Sequence, residues 1–226
     1  MAQIQFSGVR HRFGERMVLD GIDLTLTERR IGIVGANGSG KSTLARMING
    51  LVKPTTGTVT LDGLDTTAKG REVRRRVGFV FTDPDNQIVM PTVAEDVAFS
   101  LRRSGLSKAE INQRVGAALE RFGLAGHADH PTHQLSGGQK QLLALAAVLI
   151  TGPDVVVADE PTTLLDLRNA RMVNDLLAGL PEQVVLITHH LHLLDGFDRV
   201  VVLDAGRVVA DGTPAQAVDI YTGLLT

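Results

Sequence analysis

Near the start of the chain Ile4 and Phe6 are separated by a polar residue, and Ile22, Leu24 and Leu26 repeat that spacing. A period of two predicts strands with one buried face. Ile31 to Val34 is a short apolar run ending in glycine, which predicts a strand; a helix over Lys41 to Asn49 follows. TGTVTLDG at 56–63 predicts a strand with turn residues at both ends. VGFVF at 77–81 is apolar throughout, the pattern of a strand buried on both faces of a parallel sheet.

The pattern then changes. TVAE at 92–95 and SKAE at 107–110 each place a hydroxyl three residues before a glutamate, which predicts a capping box and a helix behind it. Residues from about 83 to 152 are expected to be mostly helical. After Pro153 the strands return as VVVAD, QVVLIT, RVVVLD and GRVVADG, the last two closing a hairpin at Asp204-Ala205-Gly206. Strands that alternate with helices predict an α/β fold with a parallel core sheet. A helical subdomain and an antiparallel flank complete it. The expected organisation is one domain over 1–226, with a core lobe of about 1–82 and 153–226 and a helical subdomain of about 83–152.

Composition narrows the picture by exclusion. A formal net charge of −2 gives no reason to expect nucleic acid as a partner. The chain has no cysteine, so a disulfide framework, a thiolate zinc site and thiol catalysis are out. The N-terminal stretch lacks a continuous apolar core and is not expected to act as a signal peptide. The longest apolar run, Leu142 to Ile150, is about half of what a bilayer span needs. The basic cluster REVRRR at 71–76 reads either as a solvated face or as a contact for a partner or lipid headgroups.

The chemistry begins at GANGSGKST. Gly35, Gly40, Lys41 and Ser42 fit G-x-x-x-x-G-K-[ST], between a predicted strand and a predicted helix. The glycines let consecutive amides turn toward one anion site, and the helix start adds its positive dipole end. Lys41 would reach the outer phosphates and Ser42 would ligate Mg²⁺. VVVADE ends a buried strand in two carboxylates. Asp159 is the candidate for the magnesium shell and Glu160 the candidate general base for the attacking water. LITHH ends another strand, where a histidine could bond a γ-phosphate oxygen and that water.

Together these residues resemble the ATP-binding cassette family, and the resemblance spans nearly the whole chain. Gly35, Asn37, Gly38, Ser39, Gly40, Lys41, Ser42 and Thr43 look like its Walker A loop, and Val155 to Glu160 like its Walker B strand. LSGGQKQ at 135–141 is similar to the family signature. Gln87 looks like the glutamine that senses Mg²⁺ and the attacking water, His189 like the switch histidine, and Asp166 like the D-loop aspartate. Phe13 stands where the family places an aromatic under the adenine. The resemblance implies a P-loop NTPase fold, ATP and Mg²⁺ as cofactors, and a head-to-tail homodimer. Ser136, Gly137 and Gly138 of one copy would then meet the γ-phosphate held by the other. Two departures touch subunit coupling: the D-loop reads TTLLD, and His190 replaces the aspartate that often follows the switch histidine.

FTDPDNQIVMPTVAEDVAFSL at 81–101 resembles the ATPases of energy-coupling-factor importers. DEPTTLLDLRN and the segment around the phosphate loop look most like the biotin type. This implies an ATPase on the cytoplasmic face of the membrane that drives a coupling (T) subunit and a substrate-binding (S) subunit. A cobalt or nickel importer is the alternative, and a nucleotide-gated interaction module without turnover is another. HADHPTH spaces His127, His130 and His133 three apart, and His189, His190 and His192 also cluster. A polar loop and a metal site both fit the first group, although Pro131 breaks any shared helical face.

Overall fold

A computed structural model describes residues 1–224. In chain order the first elements are β1 (Ile4–Phe13), β2 (Arg16–Leu26), β3 (Arg30–Val34), α1 (Lys41–Ile48), β4 (Thr56–Leu61) and β5 (Leu64–Asp65). Then come α2 (Gly70–Arg76), β6 (Val77–Val80), α3 (Val93–Phe99), α4 (Lys108–Arg121) and α5 (Gly137–Leu149). The chain continues through β7 (Val155–Asp159), α6 (Leu167–Ala178), β8 (Gln183–Ile187), β9 (Arg199–Asp204), β10 (Arg207–Gly212) and α7 (Pro214–Leu224).

The chain divides into two compact units. The first is built from Met1–Phe79, Asp154–Glu160 and the chain from Ala178 onward. It holds two sheets, ordered β2-β1-β4-β5 and β10-β9-β3-β8-β7-β6. In the larger sheet β9, β3, β8 and β7 run parallel, and β10 returns antiparallel along β9. Every residue of β3, β7 and β8 is buried, which is why their sequences are continuous rather than alternating. In β1 the burial alternates instead, with Ile4 and Phe6 inward, until a register shift after Phe6 where Gly8 takes a positive φ. The carboxyl ends of β3, β7 and β8 lead directly into Gly35, Glu160 and Thr188, so one edge of the sheet collects the chemistry.

The second unit comprises Val80–Pro153 and Pro161–Leu177. Its core helix is α5, in which Leu142, Leu143, Leu145 and Leu149 are buried. Of the two predicted capping boxes, only one forms. Ser107 accepts from the Glu110 amide while the Glu110 carboxylate accepts from the Ser107 amide. Thr92 does not reach the backbone of α3; its hydroxyl donates to Glu95 Oε2 at 2.7 Å. In the first unit the REVRRR stretch lies in α2, anchored by buried Val73, and Arg76 bonds Asp62 at 2.5 Å and Asp154 at 2.6 Å. Among the described residues no helix is long and apolar enough to cross a membrane.

Candidate functional site

The phosphate loop leaves β3 through Gly35 at φ +151°, where a Cβ would collide with the Leu203 carbonyl. Gly40 closes the loop at φ +103°, and a Cβ there would stand 2.7 Å from Leu19 Cδ2 and 2.8 Å from the Val18 carbonyl. Both positions therefore require glycine on conformation and on space. Gly40 is also the N-cap of α1, so no side chain occupies the first-turn amides of that helix. Lys41 is buried and folds back on its own loop, donating to the Gly35 carbonyl at 2.8 Å and the Ala36 carbonyl at 3.0 Å. Burial pulls its pKa down, against the pull of the Glu160 and Asp159 carboxylates.

Ser42 Oγ donates to Asp159 Oδ1 at 2.8 Å, and Arg46 Nη2 stands 3.4 Å from Asp159 Oδ2. Asp159 is fully buried, and that burial raises its pKa despite the Ser42 bond and the Arg46 charge. A hydroxyl and a carboxylate joined in this way form a hard-oxygen donor set that suits Mg²⁺. Ser39 Oγ, buried in the same loop, has no hydrogen-bond partner, so the cradle retains an unused polar atom. These features fit a magnesium-bound triphosphate.

Glu160 follows with φ +49°, an uncommon backbone state for a non-glycine residue. Its amide donates to the Ile187 carbonyl at 2.9 Å, which ties the turn to the end of β8. Its carboxylate accepts from His189 Nδ1 at 3.0 Å. The His189 ring lies 4.0 Å from that of His190, whose amide bonds Thr188 Oγ1 at 2.9 Å. Burial lowers the pKa of His190, and the His189 and His192 charges add to the effect. Phe13 is 57% exposed at the end of β1, a ring open to stacking. His11 meets it edge-on at 4.6 Å and is itself buried with neither ring nitrogen bonded.

The second unit carries the other sequence-derived residues. Gln87 is engaged at both ends of its amide: Oε1 accepts from the Phe81 amide at 3.2 Å, and Nε2 donates to the Ala144 carbonyl at 3.3 Å. Ser136 is the N-cap of α5 in a capping box with Gln139, which S-x-x-Q already spells in the sequence. The box consumes the Ser136 and Gln139 amides, so Gly137 and Gly138 carry the helix's outward-facing ones. Asp166 accepts from the Asn169 amide at 2.8 Å and from Asn169 Nδ2 at 2.9 Å. The Asn169 side chain lies where a Cβ on Gly138 would go.

Asn169, Gln139 and Asp96 were not singled out by sequence reasoning. Buried Asp96 accepts from the Val89 and Met90 amides at 2.8 and 2.9 Å, shaping the segment after Gln87. His127 pairs with His130, Nδ1 to Nδ1 at 2.8 Å. Among the described residues no group of three or more His, Cys, Asp or Glu side chains is placed to hold a metal ion.

The ABC transporter family matches residues 19–163, which include the phosphate loop, Gln87, Ser136–Gly138, Asp159 and Glu160. The chain belongs to the ABC transporter family. It carries that family's ATPase domain and binds ATP with it. The biotin transport ATP-binding protein BioM of Rhizobium etli is 50% identical over 96% of this chain and 97% of its own length. The cobalt import ATP-binding protein CbiO of Syntrophus aciditrophicus is 43% identical over 88% of this chain and 74% of its own. Among solved structures, a dimeric ATP-binding cassette in a post-hydrolysis state, bound to ADP and Pi, matches with a TM-score of 0.82 and 31% identity. The match covers 93% of this chain and 98% of that one. Phe13, Asp166 and His189 lie outside the stretch that the family match covers.

Proposed function

We propose that this chain is the ATP-hydrolysing subunit of an energy-coupling-factor importer for a vitamin, biotin in the first place. The observation that carries the catalytic part is the hydrogen bond between Glu160 and His189, one residue beyond the Asp159–Ser42 pair. A carboxylate held by an imidazole beside a phosphate cradle is poised to take a proton from water. Glu160 is the general base, His189 orients it and bonds the γ-phosphate, and Gln87 meets the attacking water once its amide leaves the backbone. Phe13 stacks the adenine, while Lys41 and the loop amides bind the phosphates. Ser42, Asp159 and Gln87 would hold Mg²⁺, which would supply positive charge against that building on the phosphates.

The dimer is head-to-tail, with Ser136, Gly137 and Gly138 of one copy closing on the γ-phosphate of the other and Asp166 beside that junction. It works as one ABC ATPase domain per chain, comprising a core lobe and a helical subdomain. Its partners are a membrane-embedded coupling subunit and a substrate-binding subunit, and it acts at the cytoplasmic face. The biotin reading rests on likeness to BioM over nearly the full length of both chains. The likeness to CbiO supports cobalt as the second reading.

Phosphate release from Mg²⁺-ATP tests the catalytic part. Turnover in the parent that falls about 10²-fold or more in Glu160→Gln supports it. Equal rates rule out the base assignment, and no turnover in either protein favours a nucleotide-gated module. Glu160→Gln saturated with Mg²⁺-ATP should also form a dimer; a persistent monomer, alone and with its membrane subunits, would overturn the shared-site arrangement. Membrane proteins that co-purify with the chain, assayed for biotin and Co²⁺ uptake, decide the substrate.

A further inference from the structure

The signature turn is held by a chain of side chains that fixes where protons sit. Gln139 Oε1 lies 2.9 Å from the Ser136 amide nitrogen, which can only donate. The opposite end of that amide, Nε2, is therefore also a donor by elimination. It stands 3.0 Å from His127 Nε2. That ring nitrogen must accept, so it carries no proton, and the neutral ring bears its hydrogen on Nδ1. Nδ1 in turn lies 2.8 Å from His130 Nδ1, which must be bare, leaving the His130 proton on Nε2. Flipping the Gln139 amide offers no escape, because it would set an N–H against the Ser136 N–H and break the capping box.

We propose that His127 is a positioning residue for the signature turn, acting through Gln139 as the Nδ1-protonated tautomer. The Ser136 amide and the Ser136 hydroxyl are the two points that Gln139 holds. His127 holds Gln139 from behind. The capping box keeps the Gly137 and Gly138 amides aligned, and the imidazole keeps the box closed. The proposal rests on the reading of Ser136–Gly138 as the half-site that meets the partner copy's nucleotide.

Long-range ¹H–¹⁵N correlation on the whole nucleotide-free protein, with labelled histidine, reads the tautomers directly. The expected result is Nδ1–H for His127 and Nε2–H for His130. An Nε2–H tautomer at His127 overturns the proposal whatever the variants do. In turnover, His127→Leu should lose about 2- to 10-fold, the effect of one neutral hydrogen bond, with ATP affinity of the monomer unchanged. His127→Gln offers an acceptor to Gln139 again and should recover most of that loss. Equal turnover in His127→Leu and the parent overturns the proposal, as does a His127→Gln variant no better than His127→Leu. Ser136→Arg separates the two layers. If it leaves turnover intact, the half-site reading fails while the tautomer result stands on its own.

Discussion

The imidazole of His189 holds the carboxylate of Glu160, Nδ1 to Oε2 at 3.0 Å, although 29 residues separate them in sequence. The two come from the ends of neighbouring parallel strands, β7 and β8, and the Glu160 amide is itself tied to the Ile187 carbonyl. Glu160 also carries a positive φ, a costly backbone state that persists only where the surroundings enforce it.

If that bond orients the base, His189→Ala should lower turnover by about 10²- to 10⁴-fold, the usual worth of a positioned acid–base group. ATP affinity should fall by no more than about 10-fold, the worth of the one γ-phosphate hydrogen bond lost, because the Lys41 loop is untouched. His189→Gln, which still offers a donor, should retain part of the activity. Steady-state phosphate release alongside a fluorescent-nucleotide titration checks both; an alanine variant with parental turnover would remove His189 from the mechanism.

Gly138 and Asn169 make a second, steric prediction. A Cβ on Gly138 would stand 2.5–2.8 Å from the Asn169 amide group, which Asp166 holds in place. Gly138→Ala should therefore displace Asn169 and disturb the Asp166 turn, with a loss of turnover on the order of 10-fold or more and a cost near 1–3 kcal/mol. Adding Asn169→Ala to it vacates the contested space. The double variant should unfold at a higher temperature than Gly138→Ala alone. Thermal unfolding of all three variants reads the coupling, and purely additive losses would refute it.

Much of this architecture was legible in the chain because its signals are local. The continuous runs of β3, β7 and β8 announce strands buried on both faces, and the glycine–lysine loop announces its own bend. What stayed hidden depends on which of two local groups a side chain bonds, or on partners distant in sequence. Thr92 has the spacing of a capping residue, yet its hydroxyl is drawn to the Glu95 carboxylate instead of the backbone. Nothing near Asn169 in the sequence points to Gly138, and nothing near His127 points to Gln139. His11 shares the apolar face of β1 although its ring nitrogens are unbonded, which an alternating pattern reads as an interruption.

Lys41 is buried in the loop with its ammonium on two backbone carbonyls. Neutral carbonyls are modest partners for a charge whose pKa burial already lowers. A triphosphate supplies negatively charged acceptors in place of these carbonyls, at a value of about 1.5–3 kcal/mol per charged hydrogen bond. Lys41→Ala should weaken ATP binding roughly 10- to 100-fold by titration. Its nucleotide-free melting temperature should not fall in step, since the variant also relieves a buried charge. Parental affinity in that variant would exclude the loop as the phosphate site.

Part of the acid sensitivity of the first unit should run through Asp62. Its carboxylate accepts from the Gln3 amide at 2.7 Å and from Arg76 at 2.5 Å, linking the turn after β4 to the end of α2. The Gln3 bond first, and Arg76 after it, hold its pKa below the usual carboxylate value. A lowered folded pKa means that the unfolded chain binds more protons, so the stabilisation is complete above the unfolded value of about 3.9 and is lost as pH falls through the folded one. Asp62→Asn keeps the Gln3 acceptor and removes the charge. At pH 7 it should be less stable by at most about 1 kcal/mol, the range of a partly exposed ion pair, or up to ~4 °C in Tm. As pH falls below about 4, through the lowered folded pKa, the gap between parent and variant should close, because the parent alone loses this contribution. Melting curves across that window measure it, and a constant gap would place the acid response elsewhere.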